Sequence, residues 1–166
     1  MALLGSEYDT MDRTGQVTET VDLSGVTPAA LEAALPQFRG AILQKPPAFS
    51  AIKKGGKRLY ELARQGEQVE VEARPVQVDR LELLMEDEDG APLAWPHFGL
   101  DIECGGGTYV RSLISDLARA AGSRAHMTAL RRTKQGPFQL RHCLEEDKWR
   151  TDPEAIVAHL VTGRKE

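Results

Sequence analysis

The stretch FGLDIECGGGTYVRSLISDLARAAG, from Phe98 to Gly122, decides the fold because its hydrophobic period changes in the middle. Up to Cys104, apolar and polar residues alternate, as they do in a strand that buries one face. After three glycines, apolar residues recur every three or four positions, which is the stripe of an amphipathic helix. The stripe consists of Val110, Leu113, Ile114, Leu117, Ala118 and Ala121. We therefore expect a strand, a glycine turn and a helix that begins near Val110.

Further strands and helices are predicted before and after this stretch. Residues 5–25 are polar and rich in turn residues, which indicates an extended loop or ribbon. Thr27 followed by a proline is a typical helix start and predicts a helix from Pro28 to Phe38. Good helix formers predict a short basic helix over residues 57–65, and residues 127–134 are predicted to form a strand.

The rest of the pattern indicates an α+β protein. Apolar residues alternate over residues 69–83, but their parity slips near Asp79–Arg80, which predicts a bulge. Asp152–Pro153 opens a terminal helix, in which Ile156, Val157, Leu160 and Val161 are expected to face inward. Because strands and helices mix without a βαβ rhythm, we predict the α+β class.

Length and composition exclude several classes of protein. The chain has 166 residues, 41% of them hydrophobic, so we expect a single domain over residues 1–166. A net charge of −4 excludes a globally basic nucleic-acid binder, and the apolar runs are too short for a membrane span. The only cysteines, Cys104 and Cys143, form neither a disulfide framework nor a zinc-spaced pair. We expect no metal, no membrane partner and an intracellular compartment; nucleus, cytosol and mitochondrion stay open.

Charge is segregated along the chain. Residues 1–32 carry a net −5 and residues 70–90 a net −6, whereas residues 53–67 carry +3 and residues 105–141 carry +6. Salt screens charges beyond about 10 Å, so each segment acts through its local field, and the basic segments could bind a polyanion. Solvated helix and loop faces are the more common explanation of such clusters.

The glycine turn and Arg111 form the first candidate site. Glycines let the backbone approach a ligand closely, and a helix start presents free N–H groups to an anion. The spacing matches neither the P-loop nor the dinucleotide pattern, so the glycines alone favour a structural turn. Arg111 is more specific, because a cation in the first helical turn opposes the helix dipole unless an anion is near. The alternative is an arginine that extends into solvent.

Four ordered motifs resemble the TruB family of tRNA pseudouridine synthases, most closely its eukaryotic members. They are DTMDRTGQVTE (9–19), QKPPAFSAIKKGGKRLYELARQG (44–66) with ARPV (73–76), GGGTYVRSL (105–113) and HMTALRRTKQGPF (126–138). The resemblance covers nearly the whole chain. It implies an α+β catalytic domain around a mixed, mostly antiparallel sheet flanked by helices. It also implies conversion of uridine 55 in the T-loop of tRNA to pseudouridine without a cofactor; structured mRNA stays open as a second RNA partner.

The resemblance also implies RNA-binding residues. Residues 44–66 look like the insertion, often described as a thumb, that grips the T-loop. Basic residues in this thumb-like segment and downstream of it are implied as phosphate contacts. They are Lys53, Lys54, Lys57, Arg58 and Arg64, followed by Arg131, Arg132 and Lys134. Tyr60 either stacks on a base or packs among apolar neighbours, and packing is the preferred alternative.

Two residues are implied at the reacting base. The family's reaction detaches uracil from its ribose, turns it and rejoins it through carbon, with an aspartate as nucleophile. Arg111, in the Tyr-Val-Arg motif, is implied to pair with that aspartate and to keep it charged and oriented. Leu130, in the Ala-Leu-Arg-Arg motif, is implied to pack against the flipped base; core filling is the alternative.

The family's nucleophile motif, of the Gly-x-Leu-Asp-Pro type, and its Lys-x-Tyr pattern do not occur among the 166 residues. Asp9, Asp12, Asp101 and Asp116 do not match that motif, so the catalytic role is carried onto none of them. We therefore expect the C-terminal part of a catalytic domain, with its N-terminal part missing. Three functions stay open: part of an active synthase, a catalytically inactive RNA-binding fragment, or a small-nucleotide binder. The thumb-like and Ala-Leu-Arg-Arg motifs disfavour the third.

Overall fold

A computed structural model describes residues 1–50, 52–54, 57–59, 71–87 and 89–159. The chain divides into two compact units, residues 1–129 and 130–166. The described strands are β1 (Ala2–Leu4), β2 (Ser6–Tyr8), β3 (Val17–Thr20), β4 (Gly40–Gln44), β5 (Lys53–Lys54), β6 (Lys57–Arg58), β7 (Arg74–Leu84), β8 (His97–Cys104), β9 (Ala125–Met127), β10 (Lys134–Gln135) and β11 (Phe138–Gln139). The described helices are α1 (Pro28–Ala34), α2 (Val110–Ala120), α3 (Glu146–Thr151) and α4 (Pro153–His159), with 3-10 helices at Leu35–Phe38 and Leu140–His142.

The first unit is built on a five-stranded sheet in the order β4-β7-β8-β1-β9, with every neighbouring pair antiparallel. The long β7–β8 pair is its centre, and the register of that pair shifts between Val78 and Arg80. This shift is the bulge that the apolar parity predicts, and it lets Val78 and Leu81 both face the core although they lie three positions apart. The predicted α+β class with a mostly antiparallel sheet is confirmed.

Helices α1 and α2 supply the other side of the core. α1 begins where predicted, because the Thr27 hydroxyl caps it by accepting a hydrogen bond from the Ala30 amide at 3.3 Å. α2 occupies the predicted stripe, and its apolar face is buried against the sheet. Removing these side chains from water is the main stabilising contribution to the unit. The buried side chains of α2 include Leu113, Ile114, Leu117 and Ala118.

Two small ribbons complete the first unit. β2 and β3 pair as the ribbon that the polar segment 5–25 predicts. β5 and β6 form a second antiparallel pair, with Lys53 opposite Arg58 and Lys54 opposite Lys57. The predicted basic helix over residues 57–65 is therefore wrong at its start, where the chain is a strand; residues 60–65, including Arg64 and Tyr60, lie outside the described residues.

The second unit holds the β10–β11 hairpin followed by α3 and α4. No residue from 130 to 157 is buried. The predicted terminal helix is present, but the prediction that Ile156 and Val157 face inward is wrong, because their side chains are 39% and 68% exposed. Leu160 and Val161 lie outside the described residues. None of the described helices is both long and apolar enough to cross a bilayer.

The predicted strand over residues 127–134 is correct only at its two ends. β9 stops at Met127 and β10 starts at Lys134. Between them, the amides of Thr128 and Ala129 both donate to the carbonyl oxygen of Met1, at 3.0 and 3.3 Å. Two successive amides that share one acceptor cannot continue a ladder, in which alternate residues point to opposite sides. The strand therefore ends where the chain reaches Met1.

Candidate active site around Arg111

A tight turn between β2 and β3 provides one wall of the site. Its ends are joined by the Asp9 carboxylate, whose Oδ1 accepts a hydrogen bond from the Gln16 amide at 2.9 Å. Met11 has a positive φ of 60°, an uncommon conformation for a residue with a side chain. A Cβ at Gly15 would lie 2.0 Å from Asp9 Oδ1, so a side chain there would displace the Asp9 carboxylate that holds the turn. The turn thereby places Thr10 and Asp12 toward the start of α2.

Arg111, in the first turn of α2, binds this wall and a second one. Its Nη1 donates to the Thr10 carbonyl oxygen at 2.8 Å and to Asp12 Oδ2 at 3.1 Å. Its Nη2 donates to the Phe49 carbonyl oxygen at 2.9 Å. The guanidinium has five N–H donors in a planar fork, and three donations are made within the described part of the chain. Two donors and a side chain that is 21% exposed are left to meet a further acceptor.

The Asp12 carboxylate is held in its ionised form. Burial raises its pKa, but hydrogen bonds from the Thr14 hydroxyl and amide, the Thr10 hydroxyl, and the Arg111 charge outweigh burial, so the pKa lies below its ordinary value. The Thr14 hydroxyl lies 2.5 Å from Oδ1, and the Thr10 hydroxyl lies 3.0 Å from it. A permanent anion therefore faces Arg111, as the sequence argument about the helix dipole requires.

The segment that leaves β4 forms the second wall and is tied to α2 at three successive points. The buried Gln44 side chain accepts from the Tyr109 amide at 2.7 Å and donates to the Tyr109 carbonyl oxygen at 3.1 Å. The Ser112 hydroxyl donates to the Lys45 carbonyl oxygen at 2.9 Å. The Arg111–Phe49 bond is the third tie. The start of the thumb-like segment and the start of the arginine helix are thus one hydrogen-bonded structure.

The predicted phosphate contacts fall in two places. Lys53, Lys54, Lys57 and Arg58 lie on the β5–β6 pair, so the backbone brings four basic positions together within the thumb-like segment. Arg131, Arg132 and Lys134 lie in the second unit, where Arg132 Nη1 donates to Gln135 Oε1 at 2.8 Å. Arg64 lies outside the described residues. The RNA contacts of all eight stay predictions.

Leu130 opens the second unit and is 56% exposed. An exposed leucine does not serve as core filling, which was the alternative explanation of this residue. Its contact with a flipped base stays a prediction.

Sequence reasoning missed Asp12 as the partner of Arg111. The two residues lie 99 positions apart, and no periodicity connects them. One local signal was present: two threonines flank an aspartate at a spacing of two, which is typical of a carboxylate that is hydrogen-bonded within a turn. Among the described residues, no three histidine, cysteine, aspartate or glutamate side chains are arranged to hold a metal ion.

Comparison with known proteins places these features in one family. Residues 1–110 match the sequence model of the TruB family pseudouridylate synthase N-terminal domain, and residues 111–155 match that of the tRNA pseudouridylate synthase B C-terminal domain. The boundary between the two matches falls within the first turn of α2, whereas the compact units meet at residues 129 and 130.

Full-length relatives support the same assignment. The human pseudouridylate synthase TRUB1 is 47% identical over 151 residues, which are 90% of this chain and 41% of TRUB1. The tRNA pseudouridine synthase B of Stutzerimonas stutzeri is 47% identical over 142 residues, 80% of this chain and 44% of the relative. This chain thus spans less than half the length of either relative.

A solved structure shows the same fold. A chain of the crystal structure of a Cbf5-Nop10-Gar1 complex matches 92% of this chain and 37% of its own length, with a TM-score of 0.53 and 23% identity. At that identity the likeness extends to the fold alone. With the two family matches and relatives at 47% identity, the resemblance seen in the four sequence motifs is confirmed, and this chain belongs to the TruB family of pseudouridylate synthases.

Proposed function

We propose that this chain is the RNA-binding part of a tRNA pseudouridine synthase that converts uridine 55 of the T-loop to pseudouridine. The observation that carries the proposal is Arg111, fixed by Asp12 and two carbonyl oxygens with two donors left over. The relatives' names, tRNA pseudouridine synthase B and pseudouridylate synthase TRUB1, support the reaction class.

The proposed reaction is an isomerisation. The bond between C1′ of the ribose and N1 of uracil breaks, the base turns, and C1′ bonds to C5. C5 loses a proton and N1 gains one, so the atoms and electrons balance. Arg111 takes part as the fixed cation that orients a nucleophilic carboxylate beside the base.

The isolated chain is proposed to bind RNA without isomerising it. The nucleophile motif of the family does not occur among the 166 residues. Asp12 is the carboxylate that pairs with Arg111, but it already accepts hydrogen bonds from Arg111, Thr10 and Thr14. A carboxylate that is held by so many donors is a poor nucleophile, because the hydrogen bonds stabilise its charge. Asp12 is better suited to fixing Arg111 than to attacking C1′.

The proposed grip on RNA is electrostatic. Four basic positions on the β5–β6 pair would meet backbone phosphates, which fix the position of the RNA without reading its sequence. Each neutralised phosphate releases counterions, so binding should weaken as salt is added. For a single-stranded loop, a plot of log binding constant against log salt concentration should have a slope of about −0.7 per phosphate contact.

The test uses this chain, a T-loop stem-loop RNA and the same stem with a loop of uridines only. We expect the T-loop RNA to bind more tightly, with a salt slope that falls by about 0.7 when Lys54 is replaced by glutamine. Arg111→Gln should weaken binding about tenfold, the size expected for one charge-assisted hydrogen bond to RNA. No pseudouridine should form.

The matched control is Arg80→Gln. Arg80 lies on β7 and pairs with Asp101 and Glu82, so its replacement removes the same charge from a residue that makes none of the Arg111 contacts. Equal affinity for the two RNAs, or equal effects of Arg111→Gln and Arg80→Gln, would contradict the proposed RNA site. Formation of pseudouridine would refute the proposed inactivity and return Asp9, Asp12, Asp101 and Asp116 to consideration as nucleophiles.

A further inference from the structure

A polar stripe runs along α2 on the side that contacts the β2–β3 ribbon. It consists of Arg111, Ser115 and Arg119, which follow each other at intervals of four positions and therefore share one face of the helix. Arg111 binds the turn of the ribbon, as described above, whereas Ser115 and Arg119 both bind Glu7 on β2. The ribbon is thus attached to α2 at both ends of the stripe.

The second attachment is built around the Glu7 carboxylate, whose side chain is only 8% exposed. Its Oε1 accepts a hydrogen bond from the Ser115 hydroxyl at 2.7 Å. Its Oε2 forms an ion pair with Arg119 and lies 3.6 Å from Arg124 Nε. Both oxygens of a buried carboxylate are therefore bound. A buried charge that loses its partner is strongly unfavourable, so this attachment is more rigid than an exposed ion pair.

Arg124, which follows α2, extends this attachment to the other strand of the ribbon. Glu7 and Glu19 lie opposite each other in the ribbon, and two like charges at such a pair of positions repel. Arg124 Nε offsets this repulsion, because it donates to Glu19 Oε2 at 2.7 Å and also lies near Glu7. The Arg124 carbonyl oxygen accepts from the Gly5 amide at 2.9 Å, just before β2. Both strands are therefore held at the level of Glu7.

The distance between the two attachments makes Glu7 relevant to the Arg111 site. Arg119 follows Arg111 by eight residues, which is about 12 Å along the axis of α2. A ribbon attached to a helix at one point can pivot about that point, but two attachments this far apart fix its direction. The turn then presents the Thr10 carbonyl oxygen and the Asp12 carboxylate to the guanidinium in one orientation.

We propose that Glu7 is a positioning residue for Arg111. Its carboxylate holds the base of the ribbon on α2, so that Thr10 and Asp12 fix the guanidinium and direct its remaining donors toward the RNA. Glu7 acts through these residues rather than by touching the RNA. Donors that are already oriented bind better than mobile ones, because less ordering is needed when the ligand arrives. The inference rests on the proposed function, since it takes Arg111 as an RNA contact.

The first measurement uses NMR of this chain without RNA. Hydrogen bonds from both Nη groups of Arg111 should hinder rotation of the guanidinium and give separate Nη resonances. We expect these resonances to merge in Glu7→Ala, although Glu7 binds α2 at Ser115 and Arg119. Arg119→Met, which keeps the apolar stem and removes the charge, should produce the same change.

Val78→Ala is the control for a general loss of stability. Val78 is fully buried on β7, so its shortening weakens the core without removing a polar contact between α2 and the ribbon. It should lower the melting temperature and leave the Arg111 resonances separate. Separate resonances in Glu7→Ala, or merged resonances in Val78→Ala, would overturn the proposal. If Glu7→Ala does not fold, Arg119→Met decides, because its side chain is half exposed.

The second measurement is binding of the T-loop stem-loop RNA. Glu7→Ala removes a negative charge, so electrostatics alone would strengthen binding to a polyanion. We expect it instead to weaken binding about fivefold, less than Arg111→Gln does. In an Arg111→Gln background, Glu7→Ala should cause no further weakening, because both changes act through one contact.

The outcomes separate this proposal from the proposed function. If the wild-type chain binds the RNA and Glu7→Ala binds it equally or more tightly, Glu7 does not position Arg111 for RNA and the proposal is wrong, while the proposed function stands. A fivefold loss that persists in the Arg111→Gln background would also contradict it. If the wild-type chain binds no RNA, the proposed function fails, and with it the RNA part of this inference.

Discussion

Asp12 and Asp116 are two carboxylates of the same unit whose surroundings shift their pKa values in opposite directions. Hydrogen bonds and the Arg111 charge hold the pKa of Asp12 below 3.8 despite burial. At Asp116, on α2, burial raises the pKa and so does Glu7, and Arg119 offsets only part of this. The two residues should therefore contribute to stability with opposite dependence on pH.

Replacing Asp12 should destabilise the protein at neutral pH. A carboxyl whose pKa is lower in the folded state stabilises the fold above its unfolded value of 3.8, and this contribution is lost as pH falls through the folded value. Asp12→Asn should lower the free energy of unfolding by about 1–3 kcal/mol at pH 7, with a difference that shrinks toward pH 2. Urea unfolding over this pH range tests it, with Asp79→Asn as the exposed control. A difference independent of pH would contradict the assignment.

Replacing Asp116 should have the opposite effect. A carboxyl whose pKa is higher in the folded state binds its proton more tightly there, so its ionised form destabilises the fold once the pH exceeds 3.8. Asp116→Asn should raise the melting temperature at pH 7 and should leave it unchanged at pH 3. A lower melting temperature at pH 7 would mean that the carboxylate makes a stabilising contact.

At the scale of elements, Gln44 joins the end of β4 to the start of α2. Gln44→Met keeps the side chain's length but removes both of its hydrogen bonds to Tyr109. The part-buried Tyr109 amide is left without a bond, whereas the Tyr109 carbonyl oxygen still accepts from the Leu113 amide at 3.0 Å. An orphaned part-buried amide costs about 1–3 kcal/mol, so we expect the free energy of unfolding to fall by about that amount. Unfolding can be followed by the fluorescence of Trp95, which packs against the core, in a Trp149→Phe background.

The control for this substitution is Gln77→Met. The Gln77 side chain is exposed and donates to Asp79 Oδ1 at 2.9 Å, so the same chemical change should alter the free energy of unfolding by less than about 0.5 kcal/mol. If both variants lose the same amount, the Gln44 bonds contribute nothing specific. Restored stability in Gln44→Glu at low pH, where the protonated acid can again donate and accept, would support the two-bond contact.

Elements were predictable from the sequence where local rules decide them. The parity slip at Asp79–Arg80 predicts the bulge, and the threonine-proline pair predicts the start of α1. The predictions were wrong in two places. The Met1 carbonyl oxygen accepts from two amides that would extend β9, which is a distant contact, and Lys57–Arg58 pairs locally with β5 as a strand although its residues favour a helix. No sequence window contains both Met1 and residues 128–129, whereas the β5–β6 pairing is short-range and helix propensity alone did not indicate it.

At the scale of the whole molecule, the two units differ in how their backbone is protected. The core cluster lies entirely within residues 2–127, whereas no residue from 130 to 157 is buried. Backbone hydrogen bonds that lack buried surroundings open with little free energy. We therefore expect amides of β7, β8 and α2 to exchange slowest and those of residues 134–157 to exchange within seconds to minutes.

Hydrogen exchange read by mass spectrometry tests this difference directly. Equal protection in the two units would contradict it and would mean that residues 130–157 gain burial in solution. The site itself was predictable only in part. Arg111 was identified from its own motif at a predicted helix start. Its contact with Asp12 could not be predicted, because it joins residues 99 positions apart that come together only in the folded unit.

The positive φ of Met11 lowers the stability of the protein but helps to form the site. A side chain at positive φ costs about 1–2 kcal/mol relative to glycine, and the turn bears this cost while it places Thr10 and Asp12 on one guanidinium. Engineering for heat resistance alone would favour glycine or asparagine here. Such a substitution would remove the backbone strain but would let the turn adopt more conformations. A more stable protein would therefore fix the Arg111 guanidinium less rigidly.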